Sequence, residues 1–187
     1  MKAERLKKYL ETHLSQIEFE RSNKAMQFMV AIADKYQLDA EDARLSGLLH
    51  NVSRFMNGKQ MAEYLQTREA RLMKRLPKNY WHSDYLMGPA SAWFAFEELD
   101  MRSEAVFSGI REHTYLFKNP SILAKCLYLS TVLVRIERDD QRAAVIARLC
   151  FLGRADEAIK ALNQREIRSL DKTKIRRIAR ITNPKIV

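Results

Sequence analysis

The chain is patterned for helices along most of its length. Asn23 to Tyr36 sets Met26, Met29, Val30 and Ala33 three and four residues apart, the apolar stripe of one helix. Asp39 caps the head of a second helix, with Glu41 and Asp42 in its first turn. Ala43, Leu45, Leu48, Leu49 and Val52 follow as a largely buried run, which Asn57-Gly58 closes. Residues 59 to 80 are polar and basic, and Arg68 to Arg75 reads as a solvated helix that Pro77 breaks. Helical patterning returns from Ser83 to Leu99, through Ala90, Trp93, Phe94 and Phe96, and again over Ser103 to His113. Pro120 suits a first helical position, and Ser121 to Ile136 is a long apolar helix. Asp139 to Leu152 and Arg154 to Leu162 are amphipathic, with Gly153 between them. No Val, Ile and Thr alternation is long enough for a strand. The expected fold is all-α. Residues 1–140 form a compact multi-helix bundle, and 141–187 form a C-terminal helical extension with a basic tail, packed on the same domain.

Composition adds compartment and charge. The 187 residues suffice for one domain with a helical extension, and 47% hydrophobic content supplies its core. Cys126 and Cys150 fall in apolar segments and read as inert buried thiols, not a disulfide framework or a zinc site. The first fourteen residues are charged throughout and lack the apolar core of a signal peptide. No run approaches 18 apolar residues, so no membrane partner is expected, and a reducing, cytoplasmic location follows. The net charge of +10 points to polyanions: nucleic acid, nucleotides or an acidic partner. Residues 164–187 carry eight Lys and Arg against one Glu and one Asp, a net +6. Ile167, Leu170, Ile175, Ile178 and Ile181 recur there every three to five residues, which favours a docked basic helix over a disordered arm. Its Arg176 and Arg177 are candidate phosphate contacts. The oligomeric state is left open, a homodimer included.

The chemistry concentrates in four segments. Ala43-Arg44-Leu45-Ser46-Gly47-Leu48-Leu49-His50-Asn51-Val52 resembles the signature of the HD superfamily of metal-dependent phosphohydrolases, in which adjacent His and Asp on a buried helix bind metal. Gly109-Ile110-Arg111-Glu112-His113-Thr114 is similar to a motif of one branch, the YqeK-like symmetrical diadenosine tetraphosphate hydrolases. Leu86 to Ala92 and Glu18 to Ser22 resemble two further segments of that branch, and Lys125 to Thr131 falls at the spacing of its last ligand helix. Order and spacing carry the resemblance over about residues 10 to 140. It implies an HD-like helical domain whose ligand positions fall here on Arg21, His50, Asn51, Met87, His113 and Thr131.

Most of those positions have lost their chemistry. Asn51 stands for Asp, Thr131 for a second Asp, and Arg21 brings a permanent cation where a metal ion would sit. Met87 is a soft, neutral thioether, poorly matched to hard iron or manganese. A two-metal centre needs anionic ligands to offset its charge, and this set offers none. His50 and His113 remain as weak ligands, and each also reads as a buried, hydrogen-bonded histidine. His82 with Asp84 is a displaced alternative, at an offset poorly suited to replacing a ligand. No cofactor is expected, with Fe or Mn the alternative if the site is active. The function expected is that of a degenerate HD-domain protein, related to bis(5'-nucleosyl)-tetraphosphatases but without catalysis. It would act as a regulatory protein, binding a nucleotide or polyanion through Arg21, Lys24, Arg54, Arg176 and Arg177. One alternative is an active phosphohydrolase of dinucleoside polyphosphates or other nucleotides with a rearranged site. Another is a structural interaction protein whose pocket is filled by side chains such as Met87. Tyr80 and Trp81 are candidates for stacking a base, whereas Trp93 to Phe96 read as core.

Overall fold

The computed structural model describes residues 3–76, 83–114, 119–136 and 141–163. Ten α-helices account for most of them: α1 (Ala3–His13), α2 (Gln16–Ile32), α3 (Ala40–Leu49), α4 (Gly58–Arg68), α5 (Ala70–Arg75), α6 (Ser83–Glu98), α7 (Glu104–Glu112), α8 (Ile122–Arg135), α9 (Gln141–Phe151) and α10 (Ala155–Asn163). Among the described residues there is no strand, and no helix is long and apolar enough to cross a membrane. The all-α expectation holds.

Several boundaries differ from the sequence reading, for local reasons. The helix read from Asn23, α2, starts instead at Gln16, because Ser15 Oγ accepts the Glu18 amide and caps it. Its α-helical part ends at Ile32, and Ala33–Tyr36 tightens into a 3-10 turn. The buried stripe is Ser22, Ala25, Met29 and Ile32, whereas Val30 is 42% exposed. Asn57 opens α4 rather than closing the preceding run, through a reciprocal capping box with Gln60. The Arg68–Arg75 stretch breaks at Glu69 into two helices, and Glu69 and Met73 are buried rather than solvated. Pro120 precedes the cap instead of starting the helix: Ser121 accepts the Ala124 amide, and Ile122 comes first. The charged N-terminal segment, read only for targeting signals, forms α1.

The main core runs from Leu6 and Leu10 of α1, through α2, α3, α6, α7 and α8, to Ile146, Cys150, Ala155 and Ala158. The described part of the C-terminal extension therefore shares the core of the preceding helices. A smaller cluster, Met61, Ala62, Leu65, Met73, Leu86, Met87 and Ala90, lies under α4, α5 and α6. Two close crossings hold the site in place. Gly47 of α3 lies against α2, where an added Cβ would sit 2.3 Å from Met26 Cα. Gly88 of α6 lies against α7, where an added Cβ would meet Ile110 O at 2.8 Å. The next residue, Pro89, has no amide to donate to Tyr85 O one turn back. Thr114 Oγ1, just beyond α7, donates to that carbonyl instead, at 3.3 Å.

Candidate functional site: two buried histidines in a charge-paired pocket

His50 and His113 close the C-terminal ends of α3 and α7. Their rings meet edge to face with centroids 5.6 Å apart, both almost fully buried. His50 Nδ1 donates to Gly47 O at 2.8 Å, and His113 Nδ1 donates to Ile110 O at 2.6 Å. Each ring is thereby fixed as the tautomer with its lone pair on Nε2. Burial pushes His50 down to about 4, opposed by its bond to Gly47; the Arg135 and Arg54 charges push further, and Glu18 pulls back. Burial likewise pushes His113 down to about 3, helped by His50 and Arg135. Both rings are neutral at pH 7.

The other ligand positions are engaged elsewhere. Asn51 is buried; Ser22 Oγ donates to its Oδ1 at 2.6 Å, and its Nδ2 donates to Glu18 Oε2 at 3.0 Å. Arg21, half-buried on α2, pairs with Glu18 Oε1 at 2.8 Å. Arg54, in the 3-10 turn Val52–Phe55, approaches the same carboxylate at 3.7 Å and pairs with Asp84 at 3.2 Å. Met87 is 2% exposed, and its Sδ accepts from Ser53 Oγ at 3.5 Å. Ser53 Oγ is also hydrogen-bonded to Ser91 Oγ at 2.9 Å. Thr131 returns its hydroxyl to Tyr128 O, within its own helix. Lys24 is exposed on α2. Asp84, the proposed second carboxylate, is exposed and held by Arg54. Arg176, Arg177, His82, Tyr80 and Trp81 lie outside the described residues.

Sequence reasoning missed two residues here. Glu18 links Arg21, Arg54 and Asn51, yet Ser15-x-x-Glu18 reads as a capping box that would turn it back to its own helix end. Arg135, one turn beyond Thr131 on α8, acts electrostatically on both histidines. The i, i+4 offset from Thr131 was its available signal.

The donor set does not fit a two-metal centre. Among the described residues, no group of three or more His, Cys, Asp and Glu could hold a metal ion. The site offers two neutral imidazoles, and the acidic oxygens of Glu18 are already bonded to cations and an amide. The charges of Arg54 and Arg135 act on His50, and Arg21 pairs with Glu18 beside them. The positive field that disfavours the imidazolium would disfavour a divalent ion more. Cys126 and Cys150 lie buried in the core, their thiols pushed up to about 12 by burial, and supply no thiolate.

Comparison with known proteins bears on the fold. No family model matches the chain. A symmetrical bis(5'-nucleosyl)-tetraphosphatase of Halalkalibacterium halodurans is 23% identical over 118 residues, 63% of this chain and 61% of that protein. The chain is thus matched over less than two thirds of that relative's length. The crystal structure of a predicted HD superfamily hydrolase involved in NAD metabolism, from Clostridium acetobutylicum, superposes with a TM-score of 0.68 at 21% identity. It covers 87% of this chain and 82% of the other. The chain thus shares the all-α fold of that HD superfamily hydrolase.

Proposed function

We propose that this chain is a degenerate HD-domain protein that binds a nucleotide or another polyanion and does not hydrolyse it. One observation carries the reading: Glu18, the one carboxylate among the described residues that bonds within the histidine pocket, is consumed by Arg21, Arg54 and Asn51. Without free anionic ligands, the pocket has no means of holding two divalent ions that would turn water into hydroxide. The excess of positive charge supports polyanion binding. The likeness to a symmetrical tetraphosphatase makes diadenosine tetraphosphate the first ligand to try.

The test pairs metal analysis of the purified chain with an assay of ADP release from diadenosine tetraphosphate, with and without added iron or manganese. The expected result is less than one metal ion per chain and no chelator-sensitive ADP release. Two retained ions with ADP release that chelation abolishes would overturn the reading. A second reading, a structural protein with a filled pocket, is favoured by buried Met87 and its bond from Ser53. Calorimetric titration separates the two, since a purely structural protein binds neither nucleotide nor polyphosphate.

A further inference from the structure

A cleft of about 500 Å3 lies along α4, α5 and α7, lined by Arg68, Arg71, Arg75 and Arg111 around Glu69. It is separate from the histidine pocket. Arg111 and His113 are two residues apart at the end of α7, so their side chains leave it about 200° apart.

The four arginines are of two kinds. Arg111 and Arg68 are fixed by carboxylates. Arg111 grips both oxygens of Glu69, at 2.5 and 2.8 Å, and Trp93 Nε1 donates to the same carboxylate at 3.1 Å. Burial raises the Glu69 pKa, but these bonds and the Arg111 charge outweigh it, and the net shift is downward. Glu69 is therefore a saturated anion whose effect is to orient Arg111. Arg68 is held by Glu97 at 2.8 Å and lies over the Tyr64 ring, 3.9 Å from its centroid. Arg71 and Arg75 differ. Both are exposed, and neither has an ion pair with a described residue. At i, i+4 on α5 they share a face, where like charges cost helix stability. An anion between them would turn that repulsion into attraction.

Resting on the polyanion-binding reading above, and placing it at a definite site, we propose that this cleft binds the phosphate chain of a small polyphosphorylated ligand, of the nucleoside polyphosphate class. Guanidinium forks match phosphate oxygens two at a time, and several at different angles suit a chain of phosphates better than a single carboxylate. The volume lies in the range of small-molecule sites. Two preset arginines provide direction, and two unpaired ones provide charge.

The test is calorimetric titration of the full chain with inorganic tripolyphosphate and with ATP. It uses two double variants, Arg71→Gln/Arg75→Gln in the cleft and Arg176→Gln/Arg177→Gln in the tail. Exposed Arg71 and Arg75 can be replaced without uncovering a partner, and unchanged melting curves verify the fold. The expected result is binding of both probes, weakened at least tenfold by the cleft variant and less than twofold by the tail variant. Equal binding by the cleft variant would overturn the proposal while leaving polyanion binding intact. So would an unaltered chain that ignores both probes yet binds a single-stranded RNA 20-mer. Chelator-sensitive ADP release would instead overturn the reading of the histidine pocket and leave the cleft titration standing.

Discussion

His50 and His113 show how burial sets the chemistry of a single side chain. Each gives its Nδ1 proton to a carbonyl three residues back and cannot take a second proton without charging a buried ring. Folded values of about 4 and about 3 lie below the ordinary 6.5. Below pH 6.5 the unfolded chain therefore takes up protons that the folded chain refuses. The contribution is complete above about pH 6.5 and is lost as pH falls toward 4, at up to about 1.4 kcal/mol per pH unit for each ring. Urea midpoints at pH 7, 6 and 5 should fall steeply, and His50→Asn/His113→Asn should flatten the trend. Asn keeps a donor for the i−3 carbonyl and cannot titrate; an unchanged slope would assign the acid sensitivity to other groups. Glu18→Ala should cost on the order of 1–2 kcal/mol in urea unfolding, because buried Asn51 loses an acceptor and two arginines lose their counter-charge. The pairing of the two histidines was legible in the order and spacing of the segments that carry them. Glu18 was not, because a local capping pattern and a long-range contact compete for one carboxylate, and residue spacing does not say which wins.

Helix crossings make sharper demands than helix formation. At Gly47 an added methyl group would meet the Met26 backbone at 2.3 and 2.6 Å, and backbone cannot turn aside. At Gly109 the obstacle is the flexible Leu123 side chain at 2.8 Å. Alanine also favours a helix interior over glycine by about 1 kcal/mol. Gly47→Ala should therefore lose about 3 kcal/mol or more, or fail to fold, whereas Gly109→Ala should stay within about 1 kcal/mol of the parent. Thermal melts of the two variants check this, and similar losses would contradict the crossing geometry. Most helices were legible from apolar spacing and caps such as Asp39, whose Oδ1 accepts two amides. Errors gathered where one residue type serves both ends of a helix: Asn57 and Pro120 each occur as stops and as starts. The cleft was hidden for a related reason. Arg68 to Arg75 has the composition of a solvated face, and only the break at Glu69 folds it into a concavity.

Charge is a property of the whole molecule. Residues 164–187 hold +6 of the net +10, so the remainder carries +4. If the tail docks as its apolar spacing suggests, removing residues 164–187 should lower the melting temperature by several degrees and leave tripolyphosphate binding intact. A tail that instead neutralises about four phosphates of duplex DNA would give a slope near −3.6 in log K against log salt, lost on truncation. Measuring both quantities on one truncated chain decides between them. The HD fold was legible at this scale because helix order survives changes of side chain. What the pocket does was not, since that depends on where each charge finds its partner. The missing amide of Pro89 also couples parts of the molecule. Thr114 occupies the Tyr85 carbonyl that α6 cannot satisfy through Pro89, so separating α7 from α6 would break a bond belonging to both. Amide protons in the first turns of α6 should then exchange with deuterium in step with those of α7, as one opening unit. Thr114→Val, which removes the hydroxyl at nearly constant shape, should speed exchange in both helices while leaving α9 and α10 unchanged.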